Sequence, residues 1–310
     1  MTPDEGLNQL NPIEYWKLSN IANINARAAN DARVMHEIDA QQSVHSVKGI
    51  QFETLRDHEE IASLIMGAVG FLRRKRLTFE GMALDLGSGT GIGAAIISRL
   101  PELSRIYAVE YAESFAKTIM PIVFSDFEAQ TDKIVRVVGD FNHLELEDES
   151  MAMILEIDSL HHSEDLPATL AECRRVLKPG GVILSIDRAW PDSTPRSELE
   201  AKLDVEYGEK QKEFFGIPAG QSYKRRDNGE HEYTIADWLK FYREAGFEPY
   251  VFSQVHLPTF NRLLIRILPG VKLSWTLAAW LAKLGFRRLF IYGFNATRKV
   301  FIAVKKKQPK

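Results

Sequence analysis

The chain has 310 residues, 39 Lys and Arg, 42 Asp and Glu and a formal net charge of −3, and 45% of its residues are hydrophobic. This composition is typical of a globular protein and excludes a disordered, collagen-like or repeat protein. A single cysteine, Cys173, excludes an internal disulfide and a cysteine-based zinc cluster and fits a reducing compartment. The first ten residues contain two acids and no apolar run, so no secretory signal is predicted and a cytoplasmic protein is expected.

The near-neutral total hides an uneven distribution of charge. Residues 249–310 contain no Asp or Glu, and residues 257–310 contain 12 Lys and Arg. Residues 1–256 therefore hold 27 basic and 42 acidic residues, a balance of −15 against +12 in the remainder. Such asymmetry can mark contact with an anionic surface or a nucleic acid.

Hydrophobic periodicity predicts a helical, weakly amphipathic segment over 11–45, followed by alternating helices and strands. The predicted strands are 82–86, 105–110, 133–139, 151–157 and 182–186. The predicted helices after them are 94–100, 112–124 with a kink at Pro121, 166–177, and one that Thr234 and Asp237 cap and Gly246 ends. Two further β-like segments are 249–256 and 299–305. This alternation predicts a parallel sheet with helices on both faces.

A glycine-rich loop joins the first of these strands to the next helix. It reads G-x-G-x-G from Gly87 through Gly89 to Gly91, and Asp85 precedes it. Glycines allow a sharp turn and a close approach to a ligand, and the helix N-terminus offers free N–H groups. The dinucleotide fingerprint needs a small third residue where this chain has Ile92, so another nucleotide-type ligand is indicated.

Two acids end the next two strands. Glu110 lies 19 residues after Gly91, where a carboxylate can accept both hydroxyls of a ribose. Asp140 ends the third strand and can accept from an exocyclic amino group, while Phe141 can lie against an adenine.

These residues resemble the class I S-adenosylmethionine-dependent methyltransferases, in the small-molecule group that includes the ubiquinone and menaquinone methyltransferases. DLGSGTG at 85–91 is similar to the family's first motif, and LHHSED at 160–165 with LAECRRVLKPGG at 170–181 is similar to its segment after the fourth strand. The resemblance implies a Rossmann-like, doubly wound α/β sheet of about seven strands, the last antiparallel, with an N-terminal helical cap and a helical insertion before the last strand.

The resemblance also implies S-adenosylmethionine as cofactor. No metal site is expected, because His36, His45, His58 and His143 lack the spacing of metal ligands. The cofactor-binding residues that the resemblance implies are Asp85, Gly87, Ser88, Gly89, Gly91, Glu110, Tyr111, Asp140, Phe141 and Glu156.

Candidate catalytic residues follow the fourth strand, at the edge that faces the cofactor crevice. They are Glu156, Asp158, His161 and His162. A histidine that titrates near neutrality suits proton removal from an acceptor, but one of the pair can equally be structural. Arg188 and Trp190 are expected to border the acceptor pocket, whereas Arg225 and Arg226 are interpreted as a solvated turn.

The predicted domains are a helical N-terminal cap (1–58), a cofactor-binding core (59–256), an apolar and basic insertion (257–298) and a last strand with a basic tail (299–310). Three interpretations of the insertion stay open: a lid over the acceptor pocket, a homodimer contact, or a helix on an anionic membrane surface. The expected activity is methyl transfer to a small-molecule or lipid-like acceptor. The alternatives are a catalytically silent partner subunit and an RNA methyltransferase, although the acidic core disfavours a nucleic-acid substrate.

Overall fold

A computed structural model describes residues 10–17, 55–214, 217–252 and 298–306. Most of the predicted cap and almost all of the insertion lie outside the described residues. Among the helices that are described, none combines the length and the apolar character needed to cross a membrane.

The strands form one mixed sheet in the order β1-β4-β3-β2-β5-β6-β8-β7. Their bounds are β1 (Glu14–Tyr15), β2 (Gly81–Leu86), β3 (Leu103–Glu110), β4 (Ile134–Val138), β5 (Met151–Ile157), β6 (Leu177–Arg188), β7 (Phe247–Phe252) and β8 (Arg298–Lys305). β8 is antiparallel to both of its neighbours, and the other pairs are parallel. The predicted doubly wound sheet with an antiparallel last strand is confirmed, with eight strands in the described residues.

Helices cover both faces of the sheet. They are α1 (Leu55–Lys75), α2 (Ile92–Ser98), α3 (Met120–Asp126), α4 (Leu166–Val176), α5 (Arg196–Leu203), α6 (Glu209–Phe214) and α7 (Ile235–Glu244). One buried apolar layer packs under α1, α2 and α3, and the other packs under α4 and α7. Because both faces are covered, the central strands are mostly apolar, and in β5 the one charged residue, Glu156, lies near the carboxyl end.

The chain order of the strands reverses at β2, which lies between β3 and β5. In open α/β sheets a ligand crevice forms at such a switch point, beyond the carboxyl ends of the strands. β7 ends at this edge and β8 begins there, since Phe252 pairs with Val300 and Arg298 pairs with Arg188. The insertion therefore leaves and rejoins the sheet at the crevice edge.

One strand of the sheet was not predicted: β1 forms where the sequence predicted a helix. Glu14 and Tyr15 pair with the end of β4, beside a Trp16 N–H that donates to the Val138 carbonyl at 2.9 Å. The buried Arg136 guanidinium on β4 fixes the chain before it by donating to the Asn11 carbonyl at 2.9 Å. Tertiary pairing thus overrides the weak helical pattern in this stretch, and the rest of the predicted cap is not described.

The helix predicted around Pro121 is present: the helical run is continuous over 113–126, and a π-helical turn, Phe115–Ile119, comes directly before the turn that contains Pro121. One further local expectation was wrong in detail. The Lys178-Pro179-Gly180-Gly181 stretch is not a turn before β6 but part of it, and a register shift opposite Met151 and Met153 accommodates the extra residues.

Candidate functional site

The glycine loop lies at the carboxyl end of β2 and is shaped by close contacts beneath it. A Cβ on Gly87, whose φ is +64°, would come within 2.5 Å of the Ser159 Cβ and 3.6 Å of the Phe141 ring. A Cβ on Gly89, whose φ is +49°, would meet nothing within 4 Å. The loop therefore packs against the end of β5 on one side and borders open space on the other.

Glu110 holds the crest of this loop. Its carboxylate accepts hydrogen bonds from the Gly89 N–H at 2.8 Å and from the Ala112 N–H at 3.0 Å. The next residue, Tyr111, is half-buried at the same edge. The carboxylate that the sequence predicted as a ribose ligand is thus fixed beside the open side of the loop. Ser88, between the glycines, is buried, and its hydroxyl finds no hydrogen-bond partner among the described residues.

Asp85 ties β2 to α2 from below. Its Oδ2 accepts from the Ala94 N–H at 2.7 Å, and a Cβ on Gly93 would lie 2.7 Å from its Oδ1. Burial raises the pKa of Asp85 to about 7, against the lowering effect of the Ala94 hydrogen bond. This acid therefore packs against the first turn of the helix, and Gly93 leaves room for it.

The predicted adenine-side residues follow β4. The Asp140 Oδ1 accepts from the Asn142 backbone at 2.8 Å and from its side chain at 2.7 Å, and the Asn142 Oδ1 accepts from the Thr169 hydroxyl at 2.6 Å. This chain of bonds fixes Asp140 to α4, and the Gly139 N–H donates to the Glu110 carbonyl at 3.0 Å. The structure thus brings the glycine loop, Glu110, Asp140 and Phe141 to one edge of the sheet.

Glu156 and Asp158 end β5 in different surroundings. Glu156 is fully buried, and its Oε1 accepts from the N–H groups of Ser159 and Leu160 at 2.7 and 3.1 Å. Asp158 is partly exposed, has a φ of +50° and pairs with the Arg298 guanidinium. Asp158 is therefore the more accessible of the two acids. Its left-handed backbone is a strained conformation of the kind that functional sites can retain.

The two predicted histidines also differ. His161 is buried, its Nδ1 lies 2.7 Å from the Asp187 Oδ1, and burial together with the nearby Arg188 lowers its pKa well below the usual value. His162 is half-buried, stacks on His161 at 4.3 Å between ring centroids, and has its Nδ1 3.1 Å from the Asn228 carbonyl. His161 is therefore neutral at pH 7 and held by its neighbours, whereas His162 is the more accessible.

Four charged side chains, which we term the Arg–Glu cluster, lie beyond the end of β6. They are Arg188, Arg225, Glu230 and Glu232. Glu230 accepts from Arg188 at 2.5 Å and from Arg225 at 2.8 Å, and the Trp190 indole donates to Glu232. Arg225 is thus an internal ion-pair partner and not the solvated residue that the sequence suggested. Arg226, as expected, is exposed and pairs with Asp204.

Sequence inspection missed three residues of this region. Asp187 binds His161, Ser159 donates to the Leu86 carbonyl at 2.7 Å beneath the glycine loop, and Arg298 pairs with Asp158. Asp187 carried a usable signal, because it is a polar residue at the end of a buried strand and hence at the crevice edge. Ser159 and Arg298 carried none, since each acts through a contact between distant parts of the chain.

Comparison with known proteins gives the same assignment. A model of the family described as "Methyltransferase domain" matches residues 84–185. A sterol 24-C-methyltransferase of Gibberella zeae is 25% identical over 223 residues, which are 69% of this chain and 55% of that protein. A malonyl-[acyl-carrier protein] O-methyltransferase of Methylococcus capsulatus is 32% identical over 98 residues, 32% of this chain and 34% of that protein. The chain spans about half the length of the sterol methyltransferases it matches.

A solved structure supports the fold. It is described as a candidate sarcosine dimethylglycine methyltransferase of Galdieria sulphuraria, has a TM-score of 0.50 and 20% sequence identity, and covers 80% of this chain and 85% of its own. The matched domain and the loop geometry give the assignment: residues 84–185 are a methyltransferase domain, and the chain is similar to the class I S-adenosylmethionine-dependent methyltransferases.

Proposed function

We propose that the protein transfers a methyl group from S-adenosylmethionine to a small-molecule or lipid-like acceptor. The observation that carries the proposal is the glycine loop of a methyltransferase domain, which Glu110 holds open-sided at the carboxyl edge of β2 and β3. The curated relatives are named for transfer to a sterol and to a malonyl group on a carrier protein, so lipid-like acceptors are the first class to test.

The residues at this edge fit the cofactor. The space beside Gly89 and the partnerless Ser88 hydroxyl suit a ligand that lies over the loop. We assign Glu110 to the ribose, Asp140 and Phe141 to the adenine, and the remaining predicted residues to the loop and its support: Asp85, Gly87, Ser88, Gly89, Gly91 and Tyr111. When bound, S-adenosylmethionine supplies a methyl group that its sulfonium has already activated.

The protein's own contribution is then mainly alignment of the acceptor. Holding two reactants in line can contribute roughly 7–11 kcal/mol to lowering the barrier. A base that removes a proton from a hydroxyl or carbon acceptor contributes about 10²–10⁴-fold. We assign this role to the His161–His162 pair, with Asp158 as the partly exposed acid beside it.

Incubation with methyl-labelled S-adenosylmethionine and fractionated host extract tests the activity, and the labelled product identifies the acceptor. Wild-type protein is expected to release S-adenosylhomocysteine with at least one lipid fraction, and a Glu110→Ala variant much less. If wild-type protein binds the cofactor but forms no product with any fraction, the silent-subunit alternative is correct. Labelling of an RNA fraction alone would favour the second alternative.

The basic C-terminal part suggests where the acceptor is met. From its charge and its interleaved Trp and Leu residues, we propose that 257–310 contacts an anionic membrane surface. Full-length protein is expected to sediment with vesicles that contain anionic lipid and to stay in solution with neutral vesicles. Protein that ignores both kinds of vesicle would contradict the proposal. Its sedimentation velocity without vesicles then separates a homodimer from a lid within one chain.

A further inference from the structure

Two carboxylates cap one turn of the chain. Three consecutive N–H groups after β5 point at buried acids: those of Ser159 and Leu160 donate to Glu156, and that of His161 donates to the Asp187 Oδ2 at 3.2 Å. Glu156 and Asp187 lie on adjacent strands, and both are 0% exposed. Glu156 and Asp187, which bind successive N–H groups of one turn, are therefore neighbours, and both are shielded from bulk solvent.

Two buried carboxyl groups this close do not both ionise, because each charge opposes the other and burial disfavours both. The hydrogen-bond donors differ between them. Asp187 accepts from the Arg188 N–H at 2.6 Å, faces the His161 Nδ1 at 2.7 Å and has the Arg188 cation close by. The Glu156 Oε2 is buried and finds no partner among the described residues when it is treated as an acceptor. The environment therefore favours charge on Asp187 and a proton on Glu156.

We propose that at pH 8 Glu156 and Asp187 share one proton, that it resides on Glu156, and that the negative Asp187 thereby holds His161 in its Nδ1–H form. Glu156 is then a positioning residue, not a ligand of cofactor or acceptor. The ionisation of this pair goes beyond the proposed function, and only its consequence for a catalytic His161 rests on methyl transfer.

The surroundings agree with this distribution of charge. Burial raises the pKa of Glu156 well above its ordinary value, and burial is the largest cause, ahead of the charge on Asp187. It raises the pKa of Asp187 to about 7, which Arg188 opposes. The charged groups that act on Asp187 or His161 are Asp158, Arg188, Arg225 and Arg298. Besides burial, the charges of the pair in turn raise the pKa of Asp85, Cys173, Tyr233 and Tyr242.

Two hydroxyl groups lie near Glu156: that of Ser185, which pairs with Glu156 across the sheet, and that of Tyr242, which belongs to α7 and packs on this face of the sheet. The Ser185 hydroxyl lies close enough to Glu156 and to Tyr242 to lower the pKa of each, although neither hydroxyl makes a well-aligned hydrogen bond among the described residues. A hydroxyl can donate or accept, so each can serve a protonated Glu156 as readily as an ionised one. These hydroxyl groups are polar but uncharged, so the position of the proton is decided by the Arg188 cation beside Asp187.

The pH dependence of unfolding tests the proposal without any enzymatic assay. The folded protein keeps the proton on the carboxyl, whereas the unfolded chain releases it above the ordinary pKa. The proton therefore stabilises the fold at low pH, and this stabilisation is lost as pH rises towards the folded-state pKa. Glu156→Gln imitates the protonated acid permanently. Between about pH 5 and 7, the unfolding constant of wild type relative to Glu156→Gln should therefore rise about tenfold per pH unit.

Three controls make the outcome decisive. Glu244→Gln, an exposed acid on α7, should show no such trend. Asp187→Asn should keep the wild-type slope, because burial alone keeps the proton on Glu156. The infrared band of a protonated carboxyl should be present in wild type at pH 8 and weaker in Glu156→Gln.

The proposal is overturned if the ratio of the unfolding constants of wild type and Glu156→Gln does not change with pH. It is also overturned if Asp187→Asn loses the pH slope that wild type shows, because the proton would then lie on Asp187. If Glu156→Gln does not fold, absence of the infrared band from wild type overturns it. The ¹⁵N shifts of His161 give the positioning readout: Nδ1–H is expected in wild type and Glu156→Gln and is expected to be lost in Asp187→Asn. None of these results depends on methyl transfer, so the proposed function can fail independently.

Discussion

The two sides of the crevice are built from different interactions. On the cofactor side, which comprises β2 to β5 and the loops after them, carboxylates accept from backbone N–H groups: Asp85 from Ala94, Glu110 from Gly89 and Glu156 from Ser159. On the side that we propose for the acceptor, which comprises residues 188–234, side chains pair with side chains in the Arg–Glu cluster. The first arrangement needs glycines and acids at fixed spacing, and the second needs only complementary charges that meet in space.

This contrast separates a fixed part of the molecule from an adjustable one. A substitution does not alter a backbone N–H. A carboxylate that binds such a group and the glycine that leaves room for that carboxylate must therefore change together or not at all. An Arg–Glu pair can be moved, reversed or replaced by apolar residues of similar volume. The cofactor side therefore suits a constant ligand, and the acceptor side suits a substrate that differs from one relative to the next.

The largest expected effect comes from filling the space that Gly93 leaves for Asp85. In Gly93→Ala, the new Cβ would lie 2.7 Å from the Asp85 Oδ1 and 2.9 Å from the Leu155 Cδ2, so the carboxylate must shift from Ala94. We expect a loss of about 3 kcal/mol in the free energy of unfolding, measured by denaturant titration. Gly67→Ala on α1, where a Cβ meets nothing within 4 Å, should instead gain about 0.5 kcal/mol. Equal effects of the two changes would show that the close approach at Gly93 is unimportant.

The next effect concerns cofactor affinity. Glu110→Gln keeps one acceptor oxygen but cannot serve Gly89, Ala112 and a ribose as the carboxylate does. Hydrogen bonds to a charged group are worth about 1.5–3 kcal/mol, so the Kd for S-adenosylhomocysteine should rise about 10²-fold in calorimetry. The matched control is Glu113→Gln, an exposed acid three residues later, which should bind as wild type does. Parallel losses in both variants would mean that general charge, and not the position of Glu110, governs binding.

Breaking the Arg–Glu cluster should weaken the fold and spare the cofactor. Arg225→Met leaves Glu230 and Glu232 partly unpaired in a half-buried setting, and we expect a loss of about 2 kcal/mol in the free energy of unfolding. The Kd for S-adenosylhomocysteine should stay unchanged. Arg226→Met, which breaks only exposed pairs, should leave stability nearly as it was. A weaker cofactor affinity in Arg225→Met would contradict the separation of the two sides.

The same contrast explains what the sequence could predict. The sequence predicts the order of strands and helices, the glycine loop, and the capping box that Thr234 and Asp237 form, because each depends on residues close together in the chain. The strand at Glu14–Tyr15 was not predicted, since it forms only because Arg136 and Val138 on β4 bind the passing backbone. The segment Lys178–Gly181 was predicted as a turn, although it is the start of β6. Its bulge depends on pairing with the neighbouring strand, which the local sequence does not reveal.

In the candidate site, the cofactor-side residues were found through motif spacing, whereas Arg225 was misassigned and Asp187 missed. A charged residue in a connecting segment looks solvated until its partners are known, and the partners of Arg225 are five and seven residues away in a non-helical stretch. Asp187 matters through His161, which is 26 residues distant. Spacing rules cover neighbours within a helix or strand, so they do not reach such pairs.

The smallest expected effect lies where the two sides meet. Arg298, the last residue of the predicted insertion, begins β8 and pairs with Asp158, which directly follows β5. Asp158→Asn keeps a residue that tolerates the left-handed backbone and removes the charge, and Arg298→Met removes the partner. A double-mutant cycle should give a coupling of about 1 kcal/mol, against about 0.3 kcal/mol for the more exposed Glu198–Lys202 pair on α5. A coupling no larger than that of the α5 pair would mean that the return of the chain from the insertion is fixed by the β8 ladder alone, and that the two sides of the crevice are energetically independent.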